Sequence, residues 1–326
     1  MTEDYYAGID IGGTTVKLAF LTETGELKDK WEIPTDVSEN GKHIVDQIAA
    51  SIQSRLPQHA TLLGAGVGAP GFIEMKTGFI HHAVNIGWRN YPLREELERV
   101  LGVVVRVDND ANLAALGEKW RGAGDGAEEE LFITLGTGVG GGIITRGQIL
   151  HGASGMGGEI GHITVIPEGG APCNCGKTGC LETVSSATGI LRMAKEKLTT
   201  NKDSALHRFE EGALTTKDIF DAAKAGDALA KDVVSEATFH LGFAIANLAN
   251  ALNPSKIIIG GGVSKAKESL LAPLRLVFKQ FALPRVSESA EIKLAHLGND
   301  AGIYGAVWLA IQAKATQEDE MLGKSE

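Results

Sequence analysis

The sequence predicts a duplicated two-domain α/β protein. Three observations carry that reading. The chain has 326 residues, enough for about two domains of ~150 residues. Strand-like apolar runs alternate with helical stripes, the pattern of mixed α/β layers. A strand, a glycine turn and a second strand occupy residues 5–21, and the same unit returns at residues 131–145.

The elements follow in order. In residues 5–21 two apolar runs flank Gly12-Gly13, a hairpin closed by a glycine turn. A third strand is expected to end near Trp31. Ile44, Ile48, Ile52 and Leu56 recur four apart, one face of a helix. Leu62 to Gly68 forms a short buried strand that leads into Ala69-Pro70-Gly71. Val103, Val105 and Val107 alternate along another strand, which stops at Asp108-Asn109-Asp110 before a helix from Ala111. The repeat at 131–145 is too distant and too degenerate for a solenoid. Residues 195–228 are polar and predict surface helices and loops. Val234, Ala237, Leu241, Ile245, Leu248 and Leu252 form a long helical stripe, which Asn253-Pro254 stops. A buried strand at 256–259 runs into Gly260-Gly261-Gly262, and a last apolar helix covers about 301–314. The polar tail from Gln317 is expected to fray.

Composition excludes several classes. With 43% hydrophobic and 22% charged residues, disorder is not the main state. The 42 glycines follow no G-X-Y period, so the chain is not collagenous. Their clustering points to tight turns that approach something closely. A net charge of −10 argues against a nucleic-acid binder, which presents a basic face. Anionic ligands stay open, because backbone N–H groups can hold phosphate. The N-terminus lacks the basic and apolar regions of a signal peptide. No apolar run approaches the ~20 residues of a membrane span. A cytoplasmic enzyme is the expectation.

Three constellations carry chemistry. Asp10 to Thr15, Gly136 to Gly142 and Gly260 to Gly262 are glycine clusters, each placed after a strand. Each could be a phosphate-holding turn or an ordinary hairpin turn, and three in one chain favour the first. Neither GxGxxG nor GxxxxGK[ST] occurs between a strand and a helix. Asp108-Asn109-Asp110 ends a buried strand, where a carboxylate can reach a ligand crevice and take a proton. Asp and Asn also cap helices, and the two tasks can fall to different residues. All three cysteines, Cys173, Cys175 and Cys180, lie close together, which does not suit a disulfide framework. With His162 ahead of them they make a closed tetrahedral zinc set. Other ligand orders stay open, since the chain has nine histidines.

Together these residues resemble the ROK family of sugar kinases, most closely its bacterial glucokinases. The likeness runs from Ala7-Gly8-Ile9-Asp10 to Leu297-Gly298-Asn299-Asp300. Its most specific part is Glu159 to His162 with Cys173 through Glu182. The resemblance implies a two-lobed actin-like ATPase fold, a duplicated ribonuclease H-like fold, around a deep cleft. It implies a small lobe of residues 1–118 plus 301–326 and a large lobe of 119–300 with the zinc loop. It implies ATP-dependent phosphorylation of the glucose 6-hydroxyl, giving glucose 6-phosphate, with Mg²⁺ on ATP and a structural Zn²⁺.

Roles are implied residue by residue. Asp110 would be the general base. Asn109, Glu159, His162 and Glu182 would hold sugar hydroxyls, with Gly71 and Asn85 completing the pocket. Asp10, Gly12, Gly13, Thr14 and Lys17 would form the first phosphate loop, and Asp10 would help hold Mg²⁺ through water. Thr137 and Gly138 would form the second loop. Gly261 and Gly262 would make the turn beside the adenosine. His162, Cys173, Cys175 and Cys180 would bind zinc. Glucose and ATP are the implied partners, with no nucleic acid and no membrane. A cytoplasmic homodimer serving glycolysis is the implied setting. The ROK name also covers transcriptional repressors with a helix-turn-helix ahead of the sugar-binding core. A first phosphate loop at Asp10 leaves no room for one, so an enzyme is expected.

Overall fold

The computed structural model describes residues 3–210 and 212–323, with side chains as far as Thr316. The chain divides into two compact units. The first takes residues up to Gly126, Ile149–Gly157 and residues from Asn299 onward. The second takes Ala127–Gln148 and Gly158–Gly298.

The first unit begins with β1 (Glu3–Ile11), β2 (Thr15–Leu21), β3 (Leu27–Pro34), α1 (Ile44–Arg55) and β4 (Ala60–Gly68). There follow β5 (Phe72–Glu74), β6 (Phe79–Ala83), β7 (Trp88–Tyr91), α2 (Leu93–Leu101), β8 (Val104–Asp108) and α3 (Asp110–Arg121). The main sheet has the order β3-β2-β1-β4-β8, and β5-β6-β7 form a separate small sheet. β1 pairs antiparallel with β2 and parallel with β4, and β4 pairs parallel with β8. Parallel strands in the middle of a sheet are covered on both faces, and β1 shows it. Ala7 and Ile9 share a core with Ile44, Ile48 and Ile52 of α1 and with Leu93 and Leu97 of α2. The four-residue spacing of the isoleucines is what turns them to one side. Burying each such side chain contributes about 1.5–3 kcal/mol.

The second unit repeats this topology. It contains β9 (Glu130–Leu135), β10 (Val139–Thr145), the start of β11 (Gln148–Ile149), α4 (Glu182–Ser185), α5 (Ala187–Thr200), α6 (Thr216–Lys224) and α7 (Ala228–Leu252). β12 (Lys256–Gly260), α8 (Glu268–Phe281), α9 (Pro284–Ser289) and β13 (Glu291–Leu294) complete it. The sheet order is β11-β10-β9-β12-β13. β9 and β10 form the antiparallel hairpin, and β9, β12 and β13 run parallel. The stripe on α7 buries Val234, Ala237, Leu241 and Ile245 in one core with Leu131, Ile133, Ile257 and Ile259. Asp227 caps the start of α7, and Asn253 ends it in the left-handed region at φ 48°.

The chain closes with α10 (Ala301–Gly323), which packs against α3 and across β1, β4 and β8. Ile303, Val307 and Ala310 share a core with Tyr6, Ala19 and Leu21. The approach is close enough that a methyl at Gly66 would overlap the carbonyl of Ala306. A methyl at Gly305 would likewise overlap the carbonyl of Leu113.

Four details depart from the sequence reading. The break between units falls after Gly126 rather than after residue 118, because α3 runs unbroken to Arg121. Ile149–Gly157 packs with the first unit although its chain neighbours lie in the second. Within the polar stretch 195–228, Leu206, Ile219, Phe220 and Ala222 are core residues. An amphipathic helix in a polar segment presents few apolar residues, but presents them on one face. The backbone of α10 is also helical beyond Gln317, to Gly323.

Candidate active site

In the first unit, register brings the candidate carboxylates to one edge. Asp10 on β1 pairs with Gly68 on β4, and Gly68 pairs with Asp108 on β8. Three adjacent parallel strands therefore end level, at the carboxyl edge where α/β sheets collect ligands. Gly68 contributes no side chain between the two aspartates. The chain leaves β4 through Ala69, whose N–H donates to the carbonyl of Asp108 at 3.1 Å. Gly71 follows, exposed and at φ 98°.

The Asp108-Asn109-Asp110 turn divides its tasks. Asp108 is buried, and its Oδ1 accepts from the backbone N–H of Asn109 and from Nδ2 of Asn112, each at 2.8 Å. Asn109 is the cap of α3, its Oδ1 accepting from the N–H of Asn112 at 2.7 Å. Asp110 opens the helix with its side chain exposed, and its Oδ1 accepts from the N–H of Ala111 at 2.8 Å. Burial and the nearby charge of Asp110 push the Asp10 carboxyl up, against the pull of Lys17. Lys17 pairs in register with Asp10, its Nζ 3.9 Å from the carboxylate. The two carboxylates suit a hard divalent cation, which would hold Asp10 ionised, while the Lys17 ammonium suits a phosphate oxygen instead.

The first glycine turn is closed by the N–H of Gly12 donating to the carbonyl of Thr15 at 3.0 Å. Gly13 and Thr14 are exposed at its tip. Asn85, also exposed, lies against Gly13.

One residue at this edge was missed by the sequence reading. Nε2 of His151 lies 2.7 Å from Oδ2 of Asp108. That hydrogen bond holds the imidazole proton and raises the His151 pKa above its ordinary value. The pair spans 43 residues, and no local motif announces it.

In the second unit, Gly136, Thr137 and Gly138 turn between β9 and β10, with the N–H of Gly136 donating to the carbonyl of Gly138 at 2.9 Å. The start of α5 braces this turn. The N–H of Ala187 donates to the carbonyl of Gly136 at 2.9 Å, and Thr188 Oγ1 donates to the carbonyl of Thr137 at 2.8 Å. Gly260 pairs with Thr134, so Gly261 follows at the same edge, at φ 83° and packed on the backbone of Leu135. Gly262 is exposed beside it. Both glycine clusters thus lie at the carboxyl edge of β9 and β12.

The cysteines and His162 converge. Ligand atoms of His162, Cys173, Cys175 and Cys180 all lie within 4.8 Å of one another. Sγ of Cys173 is 3.5 Å from Nδ1 of His162, and Sγ of Cys175 is 3.6 Å from Sγ of Cys180. A disulfide would need ~2.05 Å. The edges suit a tetrahedron around zinc with Zn–S near ~2.3 Å. Burial pushes the Cys180 thiol up to about 12, an effect a bound cation reverses. The donor set therefore fits zinc. Nε2 of His162 points elsewhere, 3.8 Å from Oε2 of Glu159.

Glu182 opens α4 directly after Leu181. Its Oε2 accepts from the N–H of Val139 at 3.0 Å, and its Oε1 lies 3.8 Å from Sγ of Cys173. It thus joins the zinc set to the Thr137–Gly138 turn. A side chain at Gly138 would overlap this carboxylate. Thr137, Gly138, Cys173, Asn174, Glu182 and Arg192 line part of a cavity of about 290 Å³. No helix among the described residues is long and apolar enough to cross a membrane.

A five-stranded sheet built twice on one topology, with carboxylates and glycine turns at its strand ends, defines the actin-like ATPase fold. Within it the chain belongs to the ROK family, whose profile matches residues 6–313. It is 60% identical to the glucokinase of Halalkalibacterium halodurans, over 98% of each chain. A crystal structure of a ROK family glucokinase from Streptomyces griseus with glucose and AMPPNP matches at a TM-score of 0.75. The identity is 36%, over 94% of this chain and 99% of that one. The DNA-binding transcriptional repressor Mlc of Escherichia coli is 34% identical, over 88% of this chain and 68% of the repressor.

Proposed function

We propose that the protein phosphorylates glucose with ATP at the 6-hydroxyl, giving glucose 6-phosphate. The observation that carries this reading is near-full-length likeness to glucokinases, one of them crystallised with glucose and AMPPNP. Asp110 acts as general base. One of its oxygens takes the N–H of Ala111, so the other accepts the hydroxyl proton as attack begins. Asn109, fixed as a helix cap, binds a neighbouring hydroxyl and selects which oxygen faces the phosphate.

Glu159, His162 and Glu182 bind further hydroxyls, with Gly71 and Asn85 at the margin of the sugar site. His162 can serve two ligands because its nitrogens are distinct. Nδ1 faces the thiols while Nε2 faces Glu159. Gly12 closes the first turn through its own N–H, and backbone N–H groups of Gly13, Thr14 and Gly138, with Lys17 and the Thr137 hydroxyl, cradle the phosphates. Gly261 and Gly262 let the adenosine approach the backbone. Asp10 would help hold Mg²⁺ on ATP, which would supply charge neutralisation on the phosphates. His162, Cys173, Cys175 and Cys180 would hold zinc, which would order the loop that carries Glu182, and a closed Cys₃His set would leave no position for substrate.

A cytoplasmic homodimer feeding glycolysis, without nucleic-acid or membrane partners, completes the reading. Turnover on a panel of hexoses with ATP tests it, with the product read by a glucose 6-phosphate dehydrogenase couple. Glucose is expected to give the highest kcat/KM. Absence of turnover together with specific duplex binding would favour the repressor-like alternative.

A further inference from the structure

Asp108 is 1% exposed, and its two oxygens serve different neighbours. Oδ1 takes the N–H of Asn109 and Nδ2 of Asn112. Oδ2 is paired with Nε2 of His151. Asn112 is itself fully buried, and its backbone N–H donates to the capping oxygen of Asn109. A buried carboxylate is costly unless its oxygens are hydrogen-bonded. With donors on both oxygens its plane is fixed. The direction of the Asn109 N–H is fixed with it, and so is the turn that aims Asn109 and Asp110.

We propose that His151 is a positioning residue for phosphoryl transfer, acting through Asp108 to hold the Asn109–Asp110 turn. The proposal rests on the kinase reading above. His151 bonds to the buried Asp108 and so completes the support beneath the turn's exposed groups. It also belongs to Ile149–Gly157, the segment that packs with the first unit while its neighbours in the chain lie in the second. A bland alternative is a latch that merely retains this segment, whose loss would lower stability and raise KM as kcat falls. Displacing the base by about 1 Å costs up to ~100-fold in rate without a matching loss of binding, so the two roles separate in kinetics.

The test uses the full chain as His151→Ala, His151→Gln and His151→Asn. Gln keeps an N–H that can reach Oδ2 of Asp108; Asn is shorter. His151→Ala should lower kcat by about 10–100-fold. KM for glucose and for ATP should each stay within about threefold. Gln should recover most of the lost kcat. Amide exchange over residues 108–113 should quicken in the Ala variant and return towards wild type with Gln. A folded Ala variant with kcat within about twofold of wild type overturns the proposal. So does loss of kcat and rise of KM together without rescue by Gln. If the Ala variant does not fold, Gln and Asn decide: kcat higher for Gln is expected, and equal values overturn it. Unchanged exchange at 108–113 overturns it whatever the substrate. Absence of glucose turnover by the wild type would instead sink the kinase reading.

Discussion

Asn109 and Asp110 sit next to each other and do different things. Asn109 satisfies the orphan N–H of Asn112 at the start of α3, and Asp110 stands exposed beside it. Asp110→Asn preserves shape and the bond to the Ala111 N–H. It is expected to leave glucose affinity nearly unchanged and to lower kcat by ~10²–10⁴. Steady-state kinetics with calorimetric binding checks this, and a variant within tenfold of wild type would remove the base from Asp110. The His151–Asp108 pair adds a pH dependence. Its imidazole pKa is raised by the hydrogen bond to Asp108. Its stabilisation is therefore complete below the ordinary value of ~6.5 and is lost as pH rises through the raised folded value. Unfolding free energies of wild type and His151→Gln should differ more near about pH 6 than near about pH 9. A gap that stays constant or widens would contradict the assignment. The sequence announces Asp108-Asn109-Asp110, because an apolar strand stopping at three polar residues is a local signal. It does not announce His151, because that contact is set by tertiary packing across 43 residues.

At the scale of elements, the segment from Glu159 to Glu182 works as one piece. Its cysteines were legible because metal spacing is local. The reach of Glu182 to the N–H of Val139 was not, since it depends on how the β9–β10 turn folds back on α4. Cys175→Ser is expected to lose zinc, raise KM for glucose strongly and move KM for ATP much less. Metal analysis followed by separate sugar and ATP titrations decides it. A zinc-free variant that binds glucose like wild type would uncouple metal from sugar. The cap on α3 supplies a second test. Asn109→Ala should cost about 0.5–2 kcal/mol of stability, read by urea unfolding, while also weakening glucose binding. The stretch 195–228 predicts surface structure because its polar residues outnumber the rest. α6 nevertheless buries Ile219, Phe220 and Ala222, a spacing too short to stand out in a composition window.

At the scale of the whole molecule, the repeated strand–turn–strand unit was visible in the sequence because glycine turns recur after β-rich runs. The path of the chain was harder to read. Ile149–Gly157 carries little apolar patterning, and only its packing assigns it to the first unit. The last helix depends on backbone contact. Gly66→Ala would force a methyl into the Ala306 carbonyl, and overpacking of this kind costs about 1–3 kcal/mol or more. Hydrogen exchange should then show earlier opening of β1 and β4, with β9 and β12 keeping their protection. Equal loss in both sets would mean that α10 is not a feature of the first unit alone. The order of these pieces along the chain has a further consequence during synthesis. Tyr6, Gly8 and Gly66 face a helix that the ribosome makes only after all 172 residues from Ala127 to Gly298 have been translated. The first unit to begin emerging is therefore the last that can finish folding. Until that helix is made, the face of β1 and β4 that it covers has nothing from its own unit to pack against.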